Sequence, residues 1–160
     1  MSEGISLDER DGRLLAILQE DADVTISELG EMVNLSTNAC WRRIRRLEEA
    51  GYIRKKVALL DPVKVGVGTT AFVAIGAAEH TEAWLNKFTE IVSGMSEIVE
   101  CYRMSGQVDY LLKVKVPDIS SYDIFYKNLI NSIRINDVSS TFAMEEMKYT
   151  TALPLDEIGK

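Results

Sequence analysis

NLSTNACWRRIRRLEEAG, residues Asn34 to Gly51, puts four arginines into the five positions 42–46 of a stretch that reads as a helix. Asn34-Leu35-Ser36 supplies turn chemistry, Ser36 is placed to cap a helix running to Ala50, and Gly51 stops it. Projected at about 100° per residue, Cys40, Ile44 and Leu47 share one face. Asn38, Arg42, Arg45 and Glu49 fall opposite, with Arg46 close to them and Trp41 and Arg43 on the flanks. The apolar seam therefore turns most of the arginines away from a core.

The 160-residue chain has a formal net charge of -7, which by itself argues against a nucleic-acid partner. The distribution argues the other way. Residues 1–41 hold two arginines against nine carboxylates, and residues 61–160 hold nine basic against fourteen acidic. Residues 42–56 hold seven basic residues against only Glu48 and Glu49. All the positive excess sits in one short segment. Phosphate contacts respond to that local field, because salt screens charges beyond about 8–10 Å.

Two helices are expected before this one. Ser6-Leu-Asp-Glu9 reads as a capping box followed by Leu14, Leu15, Ile17 and Leu18 at helical spacing. After a break at Asp21-Ala-Asp23, Thr25-Ile-Ser-Glu28 opens a short helix with Ile26, Leu29 and Val33 on one face. Three helices with a short second, a tight turn and a basic third predict a helix-turn-helix whose third helix lies in the DNA major groove. Tyr52–Leu60 is β-branched and apolar enough for a strand, the wing of a winged variant. Thr37, Asn38 and Arg42, toward the N-terminal end, are the candidates for reading base edges, since arginine pairs bidentately with guanine and asparagine with adenine. Arg45, Arg46, Arg54, Lys55 and Lys56 are expected to hold phosphates. Ser36 and Trp41 complete the DNA-facing set. A solvated helix face with ion pairs to Glu48 and Glu49 is the bland alternative. Helix order, capped turn and confined charge coincide, and together they outweigh it.

Leu60-Asp61-Pro62 marks the joint, residues 61–68 a linker, and residues 69–160 a second domain after a 1–60 first one. In that domain the spacing predicts strand Thr69–Ala78, helix Glu82–Met95, strands Ile98–Met104 and Asp109–Val116, a helix from Pro117-Asp118, and a strand over Val138–Tyr149. The order βαββαβ is ferredoxin-like, so the fold class is α+β: an N-terminal winged helix-turn-helix plus a C-terminal sandwich of sheet and helices.

Other chemistry finds little footing. A polar, acidic N-terminus is no signal peptide, and no apolar run approaches the roughly 18 residues of a membrane span. Cys40 and Cys101 share no CxxC spacing, and with His80 the single histidine neither a metal set nor a cofactor is expected. No nucleophile–base pair or phosphate loop supports an enzyme. Cytoplasmic residence with reduced thiols follows. Cys40 reads as a small core residue and Cys101 as the same or as a dimer-face residue, His80 as a surface residue, and Trp84, Phe88, Tyr122, Phe125 and Tyr126 as helix packing.

LSTNACWRRIRRLEEAGYI followed by VALLDP resembles the helix-turn-helix signature of the Lrp/AsnC family, the feast/famine transcriptional regulators. MSGQVDYLLKVKVPDISSYDIFYKNLI and FAMEEMKYTTALPL resemble that family's ligand-sensing domain, so the likeness covers nearly the whole chain. It implies double-stranded DNA and a small amino-acid effector as partners, and a homodimer formed through the sheet that assembles to an octamer or disc. The effector would bind between dimers at the turn Ser105, Gly106, Gln107, Val108, Asp109 and Tyr110. A glycine there lets backbone N–H groups approach a carboxylate, and Asp109 can hold an ammonium. Many members carry an acid where this chain has Gln107. VALLDPVKVGVG, RMSGQVDYL and SYDIFYKNLINS look most like the branch of the cysteine-responsive regulators, which makes cysteine or a related sulfur amino acid the expected effector. The rival is a mainly architectural DNA-wrapping protein with little effector response.

Overall fold

Asp8, rather than the expected Ser6, opens the first helix, α1 (Glu9–Glu20), in a computed structural model that describes residues 5–158. Its carboxylate accepts the Asp11 N–H at 2.9 Å, and the Asp11 carboxylate accepts the Asp8 N–H at 3.2 Å. Asp11 is fully buried, so the box that includes it is the one that helps satisfy a buried carboxylate. Glu9 is left to pair along the helix surface with Arg13 at 2.7 Å. Helix α2 (Ile26–Met32) opens with the expected Thr25–Glu28 box, in which the Thr25 N–H and hydroxyl both donate to the Glu28 carboxylate.

The turn into α3 (Thr37–Glu49) is made by Asn34 at φ 53°, a left-handed conformation that asparagine tolerates. The Leu35 N–H donates to the Gly30 carbonyl at 2.8 Å. This close approach needs Gly30, because a Cβ there would sit 2.8 Å from the Leu35 carbonyl oxygen. Ser36 Oγ accepts the Ala39 N–H at 3.3 Å, as the capped turn predicted. At the other end Gly51 (φ 78°) donates to the Glu48 carbonyl and Tyr52 to the Leu47 carbonyl, a Schellman stop. Leu14, Leu29, Val33, Cys40 and Ile44 form the core of these helices, so the seam read from the sequence is the buried one.

The wing is not a strand. Ile53 tucks against the helical core, but Arg54–Leu60 runs exposed and without regular structure. A β-branched run pairs only if a neighbouring strand offers its backbone, and among the described residues none flanks this one.

By contacts, residues 5–58 group with 148–158, and Leu59–Met147 forms a second compact unit. The C-terminal residues thus leave the 69–160 block expected from sequence. The Gln19 side-chain amide donates to the Leu153 carbonyl at 3.1 Å and accepts the Leu153 N–H at 2.9 Å, and Ile158 lies against Gly12.

The second unit follows the expected order: β1 (Thr69–Ala77), α4 (Glu82–Gly94), β2 (Ile98–Arg103), β3 (Tyr110–Val116), α5 (Ile119–Ser132) and β4 (Ile135–Phe142). The strands form one antiparallel sheet in the order β2-β3-β1-β4. Val73 stands opposite Leu112, and alternation puts Ala71, Val73, Ile75, Leu112, Val114 and Val116 under the helices with Phe88, Phe125 and Leu129. Strand β4 starts and ends earlier than the predicted 138–149: it pairs with β1 from Ile135 to Phe142, and one further bond, from the Ala143 N–H to the Thr70 carbonyl at 2.9 Å, closes the ladder. Of the two expectations for Cys101, core packing is not met: it is exposed on β2, an edge strand. No helix among the described residues is long and apolar enough to cross a membrane.

Gly30→Ala should cost about 1–3 kcal/mol, the usual penalty of overpacking, because the clash is with backbone. Urea unfolding measures it, and an unchanged midpoint would show that the turn relaxes freely. Three cap carboxylates also predict an acid limb. The Asp11 N–H holds Asp8 below 3.8, the Thr25 hydroxyl holds Glu28 below 4.5, and the Ser121 N–H holds Asp118 below 3.8. Their folded values are depressed, so their stabilisation is complete above pH 4.5 and drains as pH falls through the lowered values. In acid titrations followed by circular dichroism, Glu28→Gln with Asp118→Asn should flatten the stability loss below that pH.

Candidate functional site: a DNA-facing helix and a glycine turn

Thr37, Asn38, Trp41, Arg42 and Arg45 are all exposed on α3, opposite Cys40, Ile44 and Leu47. The four arginines of this helix do not share one fate. Arg43 donates to Asp11 Oδ1 and to Asp8 Oδ2, both at 2.8 Å, and Arg46 donates to Asp11 Oδ2. Its hydrogen bonds to the Asp11 carboxylate first, and to that of Asp8, raise the Arg43 pKa above its ordinary value. Arg45 pairs with Glu49 at 3.5 Å and lies 5.9 Å from the centre of the exposed Trp41 ring, a cation–π distance. Among the described residues, Arg42 is the one arginine of α3 without an ion pair.

Beyond the helix, Arg54 and Lys55 are exposed and, among the described residues, without ion pairs, while Lys56 meets Glu48 at 3.0 Å. Of the ten residues expected to face DNA, all are exposed, Ser36 serves as the cap, and Arg46 is committed to α1. Sequence reasoning passed over Asp11 and Asp8. The signal was present: Asp11, Leu14 and Leu18 share helical spacing, and a lone carboxylate in an apolar stripe needs a cation from a neighbouring element.

The six residues of the expected effector turn divide in the second unit. Ser105, Gly106 and Gln107 are exposed at the tip, with Gly106 at φ 131°. Asp109 latches the turn to β1: its N–H donates to the Ile75 carbonyl at 3.0 Å, and its Oδ2 accepts the Ala77 N–H at 2.8 Å. Its Oδ1 is 4.0 Å from Nδ1 of His80, an exposed side chain as expected. Val108 is half-buried, and Tyr110 is buried, with its ring 4.6 Å from Phe88 and 5.7 Å from Trp84. The structure thus gives Tyr110 a packing role and commits one Asp109 oxygen to β1, with the other near the exposed His80.

A family model described as Lrp/AsnC ligand binding domain matches residues 70–153, and one described as winged helix-turn-helix DNA-binding matches residues 7–54. The chain belongs to the Lrp/AsnC family of transcriptional regulators. The glutamate uptake regulatory protein of Zymomonas mobilis is 51% identical over 151 residues, covering 94% of this chain and 92% of the relative. The DNA-binding transcriptional activator DecR of Escherichia coli is 48% identical, over 94% of this chain and 99% of its own. Among solved structures, an AsnC family transcriptional regulator from Agrobacterium tumefaciens matches with a TM-score of 0.91 at 57% identity, covering 94% and 98% of the two chains. A Neisseria meningitidis transcriptional regulator in complex with L-Met matches with a TM-score of 0.89 at 34% identity, with the same coverage. These Lrp/AsnC relatives are regulators of transcription, and the present chain is a DNA-binding regulator of that type with a ligand-binding domain.

Within this Lrp/AsnC reading head, Arg43→Ala should lower the unfolding free energy by about 3 kcal/mol or more, because it leaves the fully buried Asp11 carboxylate short of a partner. Arg45→Ala, which removes an exposed pair, should change it by less than about 1 kcal/mol. Denaturant titrations compare the two, and equal effects would mean that the Asp11 cluster is no more than a surface pair.

Proposed function

We propose that this regulator binds DNA sequence-specifically through α3 and that an amino-acid effector changes its assembly and hence its DNA occupancy. The observation that carries the DNA half is Arg42, exposed near the N-terminal half of α3 and unpaired among the described residues. An arginine spared from ion pairs keeps its planar fork for a guanine edge. Thr37 and Asn38 lie one turn earlier and read beside it. Arg45, Arg54, Lys55 and Lys56 hold phosphates, since their pairs, where present, are exposed and exchange at small cost.

The effector half rests on the turn. Ser105, Gly106 and Gln107 offer exposed backbone donors, and Asp109 keeps one oxygen available for an ammonium. An exposed tip gives a ligand one wall, and a second copy supplies the other, which links binding to assembly. Copies pair through the sheet face away from the helices, where Phe72 is 40% exposed at the centre of β1, and dimers build the expected octamer. A sulfur amino acid, cysteine first, is the effector to test. The Neisseria relative solved with L-Met supports that chemical class, while the Zymomonas relative's name keeps glutamate in the panel.

A duplex that the wild-type protein enriches from a randomised pool, compared with random DNA of equal length, tests the DNA half. Arg42→Ala should reduce the ratio of selected to random affinity about tenfold, the worth of one bidentate base contact. Lys55→Ala should weaken both equally and make the salt dependence shallower by about 0.9 in log–log slope. An unchanged ratio in Arg42→Ala sinks the readout assignment. Sedimentation with cysteine, methionine and glutamate tests assembly, and indifference to all three moves the protein toward an architectural role.

A further inference from the structure

Asp11 receives two cations from one helix face. Arg43 and Arg46 stand three residues apart on α3, one turn of one face, and their guanidinium groups take separate oxygens of the Asp11 carboxylate. The Asp8 N–H shares Oδ2, and the Asp8 carboxylate takes Arg43 as well. Two carboxylates thus neutralise two arginines in a cluster whose central member is fully buried.

Pairing sorts the basic segment into three groups. Among the described residues, Arg42, Arg54 and Lys55 are unpaired. Arg45–Glu49 and Lys56–Glu48 are pairs between exposed or half-exposed side chains, which a phosphate can displace cheaply. Arg43 and Arg46 differ. A phosphate that drew Arg46 away would leave a buried carboxylate short of a partner, a strongly unfavourable state, although the Arg46 side chain is 43% exposed and within reach of solvent.

We propose that Asp11 is a specificity-determining, positioning residue for DNA recognition: it withholds Arg43 and Arg46 from the phosphate backbone. The inference rests on the DNA-facing role of α3 given above. Affinity from phosphates is blind to sequence, so each cation held back lowers random binding without touching the base contacts of Arg42. It revises the expectation that Arg46 holds a phosphate.

The test measures salt dependence on the selected and the random duplex for wild type, Asp11→Asn, Arg46→Ala and the double variant, with folding checked by circular dichroism. Asp11→Asn should bind random DNA more tightly at low salt, with a slope steeper by about 0.9 for each arginine released. That is an extra loss of roughly 3.5-fold between about 50 and 200 mM salt, with a reduced ratio of selected to random affinity. Adding Arg46→Ala should remove Arg46's share of that steepening. A merely structural role predicts weaker binding to both duplexes with no steeper slope, and that outcome overturns the proposal. Should Asp11→Asn fail to fold, Arg46→Ala alone decides: an unchanged slope supports withholding, and a slope shallower by about 0.9 shows that Arg46 already holds a phosphate. Salt-insensitive wild-type binding would defeat the DNA-facing reading itself, a result visible before any variant is compared.

Discussion

A carboxylate buried between two helices, Asp11, is the constraint on which the reading head depends. The helical core is small, and small units bury too little apolar surface to tolerate an unsatisfied charge. Asp11 therefore had to be saturated, and it is: one oxygen by Arg43, the other by Arg46 and the Asp8 N–H. Apolar packing of Leu14, Leu29, Cys40 and Ile44 brings α1, α2 and α3 together, but packing alone tolerates rotation of a helix about its axis. Two directional bonds from residues one turn apart oppose that rotation. They fix which side of α3 faces outward, and so where Thr37, Asn38 and Arg42 lie.

The second unit uses the same device with different partners. Asp109 spends its backbone N–H and one carboxylate oxygen on β1, while its neighbour Tyr110 is packed against Phe88 and Trp84. The base of the glycine turn is thereby anchored to the sheet, and only Ser105–Gln107 projects. A ligand meeting that tip encounters backbone held from below, which reduces the ordering cost of binding. In both units an aspartate works first for the scaffold, and the functional surface lies one or two residues away.

What the sequence made legible was local. The Thr25–Glu28 box, the Ser36 cap, the Gly51 stop and the seam of α3 are each decided by residues a few positions apart, and each formed as read. The alternation of β1 and β3 gave the sheet core for the same reason. Apart from the cap of α1, which moved from Ser6 to Asp8, the misses needed a partner distant in sequence. Tyr52–Leu60 has strand composition but, among the described residues, no neighbouring strand, and the extent of β4 is set by its pairing with β1. The spacing of Asp11 in its apolar stripe marked it as needing a cation, but its partners are arginines more than thirty residues away. Residues 148–158 return to α1 through Gln19, a side chain that no periodicity distinguishes.

The charge reading shows how locality both helped and misled. Seven basic residues in 42–56 correctly marked the surface, yet counting them overstated the charge available to DNA, since four are matched by Asp8, Asp11, Glu48 or Glu49. What remains is graded along the helix. The N-terminal turn carries the uncharged donors Thr37 and Asn38, where the helix dipole already presents partial positive charge to a phosphate-lined groove. Arg46 lies in the last turn, where a cation is favoured by the opposite pole and where Asp11 holds it. Between them stands Arg42, without an ion pair among the described residues, and a cation at that point contributes direction as well as attraction. In a chain otherwise acidic, that arrangement favours contacts made by geometry over contacts made by charge alone.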